Sequence, residues 1–225
     1  MAITLTVSLL LLLFAAAAAC GGGETPDDNG APADAGTPAG GEQQPGTTVG
    51  AAITLQEGTV ARYLVQEQFA RLDFPNDAIG ETSDVTGMIT LSPEGEVISA
   101  ESRIVLNAAS LRSDESRRDD YLSRNAIQTG TYPEIIFAPT AVRGLAWPLP
   151  TSGEAGFIIE GDLTVREVTR PVEWETTASF NGAMVTGTAK TNFTFGEFDM
   201  EVPDLFFLLS VEDNIRLELD FTAAY

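Results

Sequence analysis

The sequence predicts an all-β fold: an eight-stranded antiparallel barrel with one helix in the connection between strands 3 and 4. Three observations carry this. Apolar and polar residues alternate with a period of two in eight separate runs, which is the pattern of strands with one dry and one wet face. Turn-forming residues stand between the runs, and eight strands suffice to close a sheet and remove its edges. Only one stretch, 114–126, reads as a helix. A two-sheet sandwich shows much the same alternation, so the pattern favours the barrel without excluding the sandwich.

The elements follow in order. Residues 60–69 place Tyr63, Val65 and Phe69 on one face, and 84–91 do the same for Val85, Ile89 and Leu91. Ser92-Pro93-Glu94-Gly95 is the turn into 96–106, where Ile98, Ala100, Ile104 and Leu106 share a face. The helix has its acids early, and Gly130 and Pro133 follow its end. The run 134–143 is less regular, with Ile135, Ile136 and Phe137 consecutive. In 157–166, Phe157, Ile159, Leu163 and Val165 oppose Ile158, Glu160, Asp162 and Thr164. In 171–180, Val172, Trp174, Ala178 and Phe180 oppose Glu173, Glu175 and Ser179. Asn181-Gly182 is a strong hairpin signal leading into 183–195, with Val185, Ala189, Phe193 and Phe195 on one face. The last run, 213–223, sets Ile215, Leu217, Leu219 and Phe221 against Arg216, Glu218 and Asp220.

Ahead of this domain, residues 1–19 read as a signal peptide: five leucines and Phe14 precede five alanines. The apolar stretch is short for a spanning helix, which needs about 20 residues. Cys20 follows Ala17-Ala18-Ala19, and this junction resembles the lipobox of bacterial lipoproteins. The resemblance implies cleavage before Cys20 and lipidation of its thiol, although Ala17 stands where a leucine is usual and the first basic residue is Arg62. An ordinary signal cleavage leaving a free thiol is the alternative. Residues 20–52 then read as the lipidated cysteine and a flexible linker rich in Gly, Pro, Ala and Asp. Some 30 flexible residues reach on the order of 30 Å. Residues 53–225 form the folded domain, and the protein is expected to be exported and held at the cell envelope by its lipid anchor.

Composition excludes several chemistries. The 225 residues carry 12 basic and 33 acidic side chains, a formal net charge of −21, with no histidine and one cysteine. Histidine-dependent acid–base and triad chemistry is therefore absent, and zinc sites of His or several Cys cannot form. The charge repels nucleic acid and anionic lipid. No metal, cofactor or nucleic-acid partner is expected, and the oligomeric state is not legible.

Gly161-Asp162-Leu163-Thr164-Val165 followed by Val168-Thr169-Arg170-Pro171-Val172 resembles the signature of the YceI-like family. Ser110-Leu111, Arg118-Asp119 with Leu122, and Tyr132-Pro133 with Phe137 resemble further segments of that family, and together they span roughly 60–225. The resemblance implies a lipocalin-like barrel with a helix across one opening and an elongated cavity for polyisoprenoid or similar lipids. Glu167 stands where the family has Gly, and Thr194-Phe195-Gly196 lacks the arginine of the family's corresponding segment.

On this reading Phe157, Ile159, Leu163, Trp174, Phe193, Phe195, Leu217 and Leu219 line the cavity, or else fill a solid core. Arg170 is expected to pair with Asp162 or Glu173 in a structural turn. Arg112, Arg117, Arg118 and Arg124 share their stretch with Asp114, Glu115, Asp119 and Asp120, which suggests a helix laced with ion pairs rather than a phosphate site. Leu205 to Leu209 reads as either a gate at the mouth or the start of the last strand. Glu67, Asp162 and Tyr63 are the polar candidates for an enzyme, and nothing in sequence groups them. The function expected is therefore non-enzymatic: an extracytoplasmic protein holding a long apolar chain (polyisoprenoid, isoprenoid quinone or fatty-acyl lipid) for transport or storage. A filled-barrel envelope lipoprotein acting as an interaction or stress-response accessory is the alternative.

Overall fold

The alternating runs assemble into one antiparallel sheet. The computed structural model describes residues 49–70, 74–206 and 208–225, all within the compact unit Pro45–Tyr225. The expected signal peptide, Cys20 and the linker up to residue 48 lie outside the described residues. The strand segments are β1 (Ala51–Leu55), β2 (Val60–Phe69), β3 (Asn76–Thr82), β4 (Val85–Leu91), β5 (Arg103–Asn107) and β6 (Arg112–Ser113). They continue with β7 (Glu134–Arg143), β8 (Ser152–Val165), β9 (Val168–Asn181), β10 (Met184–Phe193) and β11 (Leu208–Ala224).

Closure rests on β1, which pairs with β4 on one side and with β11 on the other. The ring β4-β5-β7-β8-β9-β10-β11-β1 is thus a closed barrel of eight strands. β2 continues β1 along β11, β3 runs beside β2 into β4, and β6 pairs with β3 beyond β5. Three of the eight strands are therefore long, interrupted ones. The first break is pinned by Thr59, whose hydroxyl lies 2.9 Å from the Gln56 carbonyl and 3.1 Å from that of Thr222.

The eight expected runs fall on β2, β4, β5 and β7–β11. Ser99–Glu101 forms a 3₁₀ turn, so the third run becomes strand only at Arg103. β8 and β9 are longer than expected because they pair without a break from Ser152↔Asn181 to Val165↔Val168. β1 begins at Ala51, inside the last two residues of the expected linker. The expected helix is present as α1 (Ser116–Tyr121), continued by a π turn over Leu122–Ala126. The Glu115 carboxylate caps it by accepting from the Arg117 N–H at 3.2 Å.

The two ends of the barrel differ. At the lower end, which holds the β9–β10 turn, Ala178, Phe180, Val185 and Ala223 pack solidly with Phe157, Phe221 and Tyr225. The Tyr225 hydroxyl reaches the Pro150 and Gly182 carbonyls at 2.5 and 2.9 Å. At the upper end the π turn packs through Leu122 against Ala108, Leu111 and Ile127. Phe137, Leu163, Phe193, Phe198 and Ile215 form the main cluster there, with Phe193 and Phe198 ring centroids 4.4 Å apart.

Two glycines make this packing feasible. A Cβ on Gly80 would lie 2.2 Å from the Tyr63 ring, and one on Gly161 would lie 2.5 Å from the Ala138 carbonyl oxygen and 2.6 Å from the Phe137 ring. Each aromatic ring therefore lies across a glycine of the neighbouring strand. Gly161 of the expected signature owes its place to that approach.

Candidate functional site

The upper half of the barrel encloses a cavity of about 220 Å³. A void holding one water needs only on the order of 10–15 Å³, so this is far beyond a packing defect. Along β2 every second side chain faces it: Ala61, Tyr63, Val65, Glu67 and Phe69. Eight residue steps of about 3.3 Å make about 26 Å along the strand, or about 20 Å along the axis at a usual barrel tilt. The lowest lining residues are Ala61, Ala189 and Leu219, which stand side by side on neighbouring strands and mark the floor. The cavity's upper rim is made by α1, the segment before β11 and the first residue of β11, through Tyr121, Met200, Leu205 and Leu208.

Of the residues expected to line a cavity, Ile159, Leu163, Trp174, Phe193 and Phe195 do so, as do Leu217 and Leu219. Phe157 does not. It is the next inward residue of β8 below Ile159 and belongs to the solid lower cluster, because the cavity ends above it. Phe137 and Trp174 meet edge to face at 5.9 Å within the wall.

The wall has one polar patch. Arg118 of α1 turns inward and pairs with Glu67 of β2; their side chains are only 14% and 8% exposed. Arg118 also meets Asp114 at 2.6 Å, at the mouth. Burial opposes the charge on Arg118, but the hydrogen bonds to Glu67 and Asp114 more than offset it and hold the guanidinium above its usual value. The same contact lowers Asp114 below the ordinary carboxylate range. Tyr63 stands on the same face of β2, and burial pushes its hydroxyl up to about 12, with Arg118 acting in the opposite sense. Arg118 Nε and Trp174 Nε1 are buried without a hydrogen-bond partner.

Sequence reasoning named Glu67 and Tyr63 but grouped neither with Arg118. Strand parity places both on the inner face; the partner lies 51 positions away and is invisible to pattern. The third polar candidate, Asp162, is exposed on the outer face of β8. The helix does carry the expected i,i+4 pairs, Asp114–Arg118 and Asp120–Arg124, while Asp119 accepts from the Ser113 hydroxyl at 2.7 Å. Arg170 does not pair with Asp162 or Glu173 as expected. Its Nε donates to the Glu197 carbonyl at 2.9 Å, and Arg143 takes Glu173 instead. The left-handed residue of the β8–β9 turn is Arg166, with φ 57°, not Glu167. Of the segment 205–209, Leu205 and Leu208 line the rim, Leu209 is exposed, and β11 begins at Leu208. Phe207 lies outside the described residues. Among the described residues no group of three or more acidic or cysteine side chains is gathered to hold a metal.

The fold has counterparts among solved structures. A polyisoprenoid-binding domain from Saccharophagus degradans, implicated in plant cell wall breakdown, superposes with a TM-score of 0.60 at 10% identity, over 76% of this chain and 97% of that one. Burkholderia cenocepacia BcnA superposes with a TM-score of 0.55 at 15% identity, over 76% and 99%. These show the shared barrel. A UPF0312 protein of Pseudomonas putida (strain GB-1) is 35% identical over 107 residues, 46% of this chain and 49% of its own length. The chain thus spans about half the length of this curated relative. The YceI-like domain model matches residues 61–223, from Ala61 at the cavity floor to the last but one residue of β11. With its closed eight-stranded barrel and the motifs that build it, the chain belongs to the YceI-like domain family.

Proposed function

We propose that this protein binds a lipid with a long apolar chain and carries or stores it outside the cytoplasm, tethered through Cys20. The observation that carries the reading is the elongated apolar cavity, walled by inward residues of the barrel strands and closed below. That the Saccharophagus degradans domain of the same fold is a polyisoprenoid-binding domain supports a prenyl chain. Each CH₂ withdrawn from water contributes roughly 0.8 kcal/mol, so a long chain binds without directional contacts. A methylene more or less is worth only about 1–3 kcal/mol, which makes chain selectivity loose and set by tube depth. Binding of this kind requires no catalytic group.

The test is native mass spectrometry of the purified full chain, followed by organic extraction of what is released. A stoichiometric prenyl or acyl lipid supports the reading. A ligand-free protein that also fails to take up added isoprenoid quinone and fatty acid overturns it.

A further inference from the structure

The polar patch restricts what the apolar cavity accepts. Five charged residues border the cavity, Arg62, Glu67, Glu115, Arg118 and Glu218; strand parity turns the Arg62 and Glu218 side chains to the outer face, which leaves Glu67, Glu115 and Arg118 beside the ligand space. Both cations are already shared between two carboxylates each. Arg62 is held by Glu81 and Asp220, and Arg118 by Glu67 and Asp114. Glu218 meets Lys190 at 2.8 Å, so that cation is also taken. An entering carboxylate or phosphate would meet no unmatched positive charge and would lose its hydration to a wall with more acids than bases. The patch does offer hydrogen-bond donors: Arg118 Nε is buried and unpartnered, and the raised Tyr63 hydroxyl stays protonated.

Resting on the lipid-binding reading, we infer that the ligand's polar end lies against Glu67, Arg118 and Tyr63 and is an uncharged hydrogen-bond acceptor, such as a carbonyl, ester or hydroxyl, rather than a carboxylate or phosphate. Glu67 is the residue that sets this preference. It neutralises Arg118 inside the tube and so removes the charge that would otherwise attract an anion. A buried ion pair in the tube wall thus acts as a charge filter, while the apolar wall supplies affinity.

The test titrates the full chain at neutral pH with four probes sharing one C20 prenyl chain or its length: geranylgeraniol, its acetate ester, its diphosphate, and a headless hydrocarbon. The alcohol and the ester are expected to bind at least tenfold tighter than the diphosphate and tighter than the hydrocarbon. Glu67→Gln keeps shape and acceptor but removes the charge; it should narrow the ester-over-diphosphate preference at least fivefold. Tyr63→Phe should weaken the ester and leave the hydrocarbon unchanged. A diphosphate that binds as well as the ester overturns the inference, as does a hydrocarbon that binds as well as every headed probe; both leave the lipid reading standing. Failure of all four probes overturns the lipid reading and this inference together.

Discussion

Arg118 on α1 and Glu67 on β2 meet at 2.5 Å inside an otherwise apolar tube. The pair ties the helix to the barrel wall. Removing one partner of a buried pair leaves a charge without compensation and costs about 3–5 kcal/mol, whereas replacing both by apolar residues is close to neutral. Arg118→Met, which strands Glu67, is expected to lower the free energy of unfolding by that amount in urea denaturation, and Glu67→Leu by less, because Asp114 still holds Arg118. The double variant Glu67→Leu/Arg118→Met should recover most of it; two additive losses would contradict the argument.

Tyr63 makes the barrel alkali-sensitive. Its hydroxyl is raised by burial to about 12, against about 10 in an unfolded chain. Above pH 10 the unfolded chain releases this proton and the folded one does not, so stability falls as pH rises from about 10 to about 12 and levels off beyond. Two units correspond to about 2–3 kcal/mol. Urea denaturation of the wild type and Tyr63→Phe between pH 9 and 11.5 should show the wild type losing stability relative to the variant as pH rises, the variant lacking this share of the loss.

The two glycines predict different rescue behaviour. Gly80→Ala forces the Tyr63 ring to move, and Gly161→Ala forces a shift of both the Phe137 ring and the Ala138 carbonyl. Overpacking of this kind costs about 1–3 kcal/mol. Tyr63→Leu should relieve most of the Gly80→Ala loss. Phe137→Leu should relieve little of the Gly161→Ala loss, because the backbone oxygen stays. Double-mutant cycles by thermal unfolding distinguish the two.

Narrowing the floor tests where the chain sits. Ala189 lines the cavity and is 3% exposed. Ala189→Phe projects a ring into empty space, so thermal stability should hold or rise while lipid uptake drops at least tenfold in a fluorescence titration. Unchanged uptake would place the ligand elsewhere.

Arg166 fastens the upper rim. From its left-handed position it donates to the carbonyls of Ala126 and Phe198 at 3.3 Å and of Asp199 at 2.6 Å, joining the π turn and the segment before β11 to the β8–β9 turn. Arg166→Gly relieves the backbone strain but loses those bonds, so global stability should change by under about 1 kcal/mol. Amide exchange over 122–129 and 195–200 should accelerate at least tenfold. Uniform exchange rates across the barrel would argue against a fastening role.

Periodicity made most of the barrel legible, since eight runs of alternation correspond to eight strands of the ring or their extensions. β3 escaped because its inward residues are Ala78, Gly80 and Thr82, kept small by the Tyr63 ring. β1 escaped because its alanines look like the linker before it. The division into hollow and solid halves was not legible. Phe157 and Ile159 share parity, strand and chemistry, and only the position of the floor separates them. The polar patch was half legible: parity placed Glu67 and Tyr63 inward, but the arginine that gives them meaning comes from another element.

Among the described residues, the packed lower end leaves the cavity its opening at the upper rim. Nothing can be threaded through it, and an incoming chain cannot push a resident one out ahead of it. On the proposed lipid-carrying reading, exchange is sequential, emptying before refilling, and the release rate of a bound lipid is independent of how much competitor surrounds it. A chain longer than the tube is not rejected but overhangs at the rim, where a receiving surface can take hold of it.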